Sequence, residues 1–218
     1  DFRVDPIPEL EFFEEQHAYR YQGEWIPFSM TQVCKGNNTY FSDTQALPDD
    51  HPDKIRLNEA LTRGSAIHDF MEAWAKNETL PEHPYIDWTN SCISDPFWDR
   101  WSPVSGGVEL SLIDPRPQYR IAGRCDIILR NTETGELAMA DYKTQSSRQS
   151  RPYNVKPQLG GYLNLCDQHA NTRHLGINRC FAIWIRPGNT HFQPLDGEDC
   201  IQEYLAARKT FFDQQPSF

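Results

Sequence analysis

Gly123-Arg124-Cys125-Asp126-Ile127-Ile128-Leu129-Arg130-Asn131-Thr132-Glu133-Thr134-Gly135-Glu136-Leu137-Ala138-Met139-Ala140-Asp141-Tyr142-Lys143 reads as two strand-like runs around a polar reversal. Alternate side chains of a strand share a face. Ala122, Arg124, Asp126 and Ile128 therefore project together on the first run, with Ile121, Cys125 and Ile127 opposite; on the second, Leu137, Met139, Asp141 and Lys143 share a face. The stretch 131–136 is short, polar and contains Gly135, so the spacing predicts an antiparallel hairpin in which Asp126 meets Asp141 and Lys143 from the neighbouring strand. Two carboxylates held that close repel unless a cation lies between them, and hard oxygen ligands suit Mg²⁺ or Mn²⁺. A lysine two residues from such a carboxylate can hold and help deprotonate an attacking water while the cation offsets charge developing on a phosphate. Alone, an Asp-x-Lys on a strand is usually a solvated face or a surface ion pair, and its neighbours are what tip the balance.

Upstream, Ile67, Phe70, Met71 and Trp74 have the spacing of an amphipathic helix, with His68 bordering the apolar stripe and Gly64 one turn before it on the same face. A missing side chain at Gly64 would let another backbone or a ligand come close. His68 reads as a core histidine or as a metal ligand. Downstream, Pro157 suits the first turn of a second helix, on which Gln158 and Tyr162 are stacked at i and i+4. Such a pair can hydrogen-bond a phosphate or a catalytic side chain, or simply cover a helix surface.

In order, Gly64-x-x-x-His68, Glu109, Gly123-x-x-Asp126, Asp141-Tyr142-Lys143 and Gln158-x-x-x-Tyr162 resemble the PD-(D/E)XK nuclease superfamily, and within it the RecB-like exonuclease branch. The resemblance is good over about residues 60–165. It extends more loosely to His17–Thr31, which is similar to the opening hairpin and Ser-x-Thr turn of phage and mitochondrial genome-maintenance exonucleases. Without the family, that stretch reads as a hairpin around Gln22-Gly23 followed by a helix cap at Ser29 or Thr31. The resemblance implies that Asp126 and Asp141 hold one or two Mg²⁺ or Mn²⁺ ions and that the Tyr142 carbonyl can add a ligand. It further implies that Lys143 orients the water, His68 binds or tunes a metal, and Gln158 and Tyr162 steady the site or the nucleic-acid backbone. Glu109 would be a further ligand, although its alternation with Val108, Leu110 and Leu112 equally suits a solvated strand face. The implied activity is a metal-dependent DNA exonuclease that leaves 5′-phosphates and prefers single strands or free ends. A structure-selective endonuclease, or a binding module without chemistry, are the alternatives.

Iron–sulphur relatives in that branch carry one early cysteine and a tight cluster of three near the end. Here Cys34, Cys92, Cys125, Cys166, Cys180 and Cys200 are scattered with no Cys-x-x-Cys, so neither a cluster nor structural zinc is expected, and the thiols are expected to be reduced. A chain of 218 residues suits one nuclease domain, with 1–60 as hairpin and helical elaboration and 61–215 as core. No apolar run approaches the ~20 residues that cross a bilayer, and nothing resembles a secretory signal, so a cytoplasmic protein is expected. The first residue is Asp1 rather than methionine, which leaves room for a longer original N-terminus.

The net charge of −10 argues against a protein that coats DNA with basic surface, yet residues 114–157 hold eight Lys and Arg against five Asp and Glu. Local, modest DNA binding there is the expectation, with about half of those arginines ordinary surface residues. Elsewhere, 53–76 reads as a helix with a break near Arg63-Gly64, 80–103 as loop-rich, 179–186 as a buried strand and 196–212 as a final helix capped by Asp196. Trp88, Trp98 and Trp101 read as core or as stacking platforms for single-stranded bases. Helix, three antiparallel strands, helix, strand and helix imply an α/β fold of the restriction-endonuclease type: a three-layer core with a mixed central sheet flanked by helices. No long apolar face demands a second subunit, and the oligomeric state stays open.

Overall fold

Phe12, Tyr19 and Tyr21 alternate with polar residues early in the chain. In the computed structural model, which describes residues 2–36 and 38–215, they line the inner face of a small antiparallel sheet of β1 (Leu10–Phe13), β2 (Ala18–Tyr21) and β3 (Glu24–Trp25). The β2–β3 reversal falls at Gln22-Gly23, both with positive φ (50° and 80°), as the hairpin expectation requires. β4 (Phe28–Ser29) leads into α1 (Met30–Lys35), and Ser29 is the cap: its hydroxyl accepts from the Gln32 N–H while the Gln32 side chain accepts from the Ser29 N–H.

After α2 (Tyr40–Gln45), α3 (Pro52–Ala75) runs without a break through Arg63-Gly64. One glycine costs a helix only about 1 kcal/mol relative to alanine, and the packing of Ile67, Phe70 and Met71 outweighs it. The stretch 80–103 begins as the loop its prolines suggest, over 80–85, but is more regular beyond it. It holds α4 (Ile86–Ile93), α5 (Phe97–Arg100) and the start of β5 (Trp101–Asp114). Pro96 caps α5 and Pro103 lies on an edge strand, positions that tolerate a missing N–H. The three tryptophans there are structural. Trp88 and Trp101 are buried, and the Trp98 indole packs on Trp74 while donating to the Cys92 carbonyl at 2.7 Å.

β6 (Ile121–Asn131) and β7 (Leu137–Thr144) form the expected antiparallel hairpin, with Ile127 opposite Ala140 and Arg130 opposite Leu137. α6 (Lys156–Gln168) follows, then a 3-10 turn (Arg173–Leu175), β8 (Arg179–Arg186), β9 (Asn189–Asp196) and α7 (Gly197–Asp213) capped by Asp196. β9 is an addition to the expected order: its half-exposed alternation and Pro194 mark an edge strand. The sheet runs β4-β6-β7-β8-β9, with β5 on the other edge of β6. β4–β6 and β7–β8 are parallel and the remaining pairs antiparallel, so the sheet is mixed. One apolar cluster packs α1, α6 and α7 on one face and a second packs α3, α4 and α5 on the other, which gives three layers. No helix among the described residues is long and apolar enough to cross a membrane.

Candidate active site

The sheet opens at the GxxD motif. β4 pairs only with Ile121 and Ala122, and β7 only from Ile127 onward, both on the edge of β6 away from β5. Residues 123–126 therefore lack a strand partner on that side. The Asp126 side chain fills the gap, its Oδ2 accepting from the Tyr142 backbone N–H at 2.7 Å. That bond draws Asp126 to the stretch of β7 that also carries Asp141 and Lys143.

α3 crosses the open end and brings His68, whose Nε2 lies 3.0 Å from the Tyr142 carbonyl and whose Nδ1 lies 3.8 Å from Asp126 Oδ2. A carbonyl only accepts, so Nε2 carries the hydrogen and the lone pair of a neutral ring sits on Nδ1, facing Asp126. Glu109 comes from β5, between the residues paired with Ile127 and Cys125, and so stands opposite Asp126. Its φ of 51° breaks the strand's alternation, and its side chain is 15% exposed. The solvated-face reading of Glu109 therefore fails. Ligand atoms of His68, Glu109 and Asp126 lie within 4.8 Å of one another.

Asp141 is buried, with Lys143 Nζ 2.5 Å from its Oδ2 as an ion pair. Burial raises the Asp141 carboxyl to about 6; Lys143 opposes the rise and Asp126 adds to it. Glu109 is raised to about 8, again by burial and then by Asp126, against the pull of Arg124. Lys143 moves the other way. Burial alone would lower it, but the charges of Asp141 and Asp126 hold it firmly as an ammonium. Three acids thus share a site in which Lys143 faces Asp141 and Arg124 faces Glu109, leaving Asp126 with no cationic side chain of its own beyond the half-buried His68. That donor set fits a divalent cation.

Lys143 Nζ also donates to Gln158 Oε1 at 3.0 Å, and Gln158 Nε2 donates to the Tyr162 hydroxyl at 3.1 Å. The i, i+4 pair on α6 is thus wired to the lysine. Gly123 makes room for it, since a Cβ there would come within 3.0 Å of the Tyr162 ring and 2.8 Å of Met30. Gly64 is less demanding than expected: a Cβ would meet Thr144 Oγ1 at 3.7 Å, ordinary contact.

His68, Glu109, Asp126 and Tyr162 line an open cleft of about 470 Å³. Glu72 and Arg124 line it as well. Glu72 is i+4 from His68, so helix spacing alone puts the two on one face of α3. Arg124 pairs with Glu109 at 2.7 Å and lies over the Phe12 ring. Arg116 and Arg120 are likewise paired, with Asp114 and Glu24, so these three arginines are not free for phosphate. All six cysteines are free thiols.

No curated protein matches the chain. A solved structure described as "Crystal structure of SSO0001" superposes with a TM-score of 0.45 at 17% identity, covering 88% of this chain and 78% of that one. Residues 89–203, more than half of the chain and the part that carries β5, β6, β7 and α6 with their acids, lysine and glutamine, match the model of one family. The chain belongs to the PD-(D/E)XK nuclease superfamily.

Proposed function

We propose that the protein is a metal-dependent deoxyribonuclease that degrades DNA from single strands or free ends and leaves 5′-phosphates. Membership of the superfamily carries the coarser part, a metal-dependent nuclease with DNA as substrate. The observation that carries the chemistry is the buried Asp141–Lys143 pair beside the Asp126 gap. The preference for ends and the product rest on the resemblance to the RecB-like exonuclease branch.

Asp126, Glu109 and the Nδ1 of His68, whose ligand atoms converge, would hold Mg²⁺ or Mn²⁺ together with Asp141, whereas the Tyr142 carbonyl, engaged by His68 Nε2 on the far side of the ring, would serve only a second ion. When bound, the cation supplies charge that offsets what develops on the phosphate and makes water more acidic. Lys143, kept as an ammonium, donates from Nζ to orient the attacking water and stabilise the phosphate oxygens. Gln158 fixes the position of Nζ, and Tyr162 fixes Gln158. Each residue beyond the first is thereby held by a bond to the one before it, which keeps the reacting groups in register.

Digestion of end-labelled linear and of circular single-stranded DNA with Mn²⁺, Mg²⁺ or EDTA tests the reading. The expected outcome is metal-dependent loss of linear but not circular DNA, reduced at least about a hundredfold by Lys143→Ala. Cutting of circles would identify an endonuclease instead. Binding without cleavage in any metal would leave a nuclease-fold binding module.

A further inference from the structure

Between Lys143 and Lys156 the chain carries four basic residues and no acidic one, in a protein of net charge −10. Arg148 and Arg151 of this β7–α6 loop are exposed and have no carboxylate partner among the described residues, unlike Arg116, Arg120 and Arg124. Two residues on, Tyr153 is 57% exposed. Its ring stands edge-on to Trp184 at 4.9 Å, and Trp184 is the residue paired with Lys143 across β7–β8. Tyr153 thus stands beside the catalytic lysine while contributing little to the core.

With Lys143, Gln158 and Lys35, Tyr153 lines a second cleft of about 260 Å³, the size of a nucleotide unit rather than a duplex. Thr31 borders both this cleft and the one that holds His68 and Asp126, so the two adjoin there, one on the lysine side and one on the carboxylate side of the site. The loop is also held in place. Gln145 Nε2 donates to the Arg151 carbonyl at 2.8 Å, Arg148 Nε to the Pro187 carbonyl at 2.5 Å and Asn154 Nδ2 to Glu203 at 2.6 Å. A platform ordered before binding loses little entropy on taking a ligand.

We infer that Tyr153, Arg148 and Arg151 form a nucleotide subsite on the lysine side of the scissile phosphate. The adjoining base stacks on Tyr153, and the phosphates beyond it run along the two arginines. The occupant is single-stranded DNA, because an exposed ring can stack only on a base whose face is not already covered by neighbours in a duplex. The subsite rests on the nuclease reading above and adds to it the residues that select an unpaired strand.

The test is equilibrium binding of a short single-stranded oligonucleotide carrying 2-aminopurine, with Ca²⁺ present, read by anisotropy and by quenching of the base. Tyr153→Ala is expected to weaken binding roughly ten- to hundredfold and to abolish quenching, and Tyr153→Trp to keep both. Replacing both arginines with alanine is expected to flatten the slope of log affinity against log salt by about 1.4. Parent-like binding and quenching by Tyr153→Ala overturns the subsite, as does equal loss in Tyr153→Trp. In either case digestion of linear DNA by the same parent preparation in Mn²⁺ leaves the nuclease reading standing. A parent that neither binds nor digests DNA overturns both.

Discussion

Asp126 links three elements with a single carboxylate: it takes the Tyr142 N–H, faces His68 Nδ1 and lies opposite Glu109. A cation bound to that set is absent from the unfolded chain, so it stabilises the fold by mass action, by about 2.7 kcal/mol at a hundred times its dissociation constant. In a protein of this size each 1 kcal/mol moves the melting point by about 2–4 °C. Saturating Mn²⁺ is therefore expected to raise Tm by roughly 5–10 °C in the parent and by little in Asp126→Asn, as read by calorimetry. No shift in the parent would remove the metal site. Asp141 and Lys143 were legible because they follow β7's alternation with Met139, but β6 departs from the expected pattern at Asp126: Cys125 and Ile127, expected on one face, enter the two opposite apolar clusters. Glu109 was not legible, since its positive φ rotates a side chain that alternation would have aimed elsewhere, a strain of order 1 kcal/mol or more that the surrounding sheet sustains at the site.

α6 carries Gln158 and Tyr162, and its position depends on how closely it approaches α7. A Cβ at Gly160 would stand 1.9 Å from the Cys200 carbonyl oxygen, which belongs to backbone and cannot swing aside. Gly160→Ala is expected to push the two helices apart, cost about 1–3 kcal/mol and lower Tm by several degrees in thermal unfolding followed by circular dichroism. The shift should also weaken the Gln158–Lys143 bond, so activity should fall further than the loss of folded protein explains. An unchanged Tm would show that α6 and α7 are not in the contact described. Among the elements, β8, α7 and the β6–β7 hairpin followed directly from apolar periodicity and caps. The continuous α3 and the helices inside 80–103 did not, because glycine and proline weaken an element only locally while packing against Phe181, Ile183 and Trp101 acts over its whole length.

Across the molecule, acids outnumber bases, and Arg116, Arg120, Arg124 and Lys143 are engaged with carboxylates. Single-strand binding releases counterions in proportion to phosphates neutralised, about 0.7 per contact. With few basic groups left over, log affinity is expected to fall with log salt at a slope of about −2 to −3; a slope several times steeper would point to a basic surface elsewhere. The mixed sheet, the β6–β7 hairpin and the helices α6 and α7 that flank it were determined by the sequence alone, because alternation, caps and residue type act over a few neighbours. The tertiary structure decided what depends on distant partners. It settled which arginines are consumed in ion pairs, that the tryptophans are core, and that β4 and β7 leave Asp126 a gap between them. It also turned Glu109 inward and set Tyr153 beside Lys143. Those outcomes are set by burial and by contacts between residues far apart in the chain, for which local sequence carries no signal.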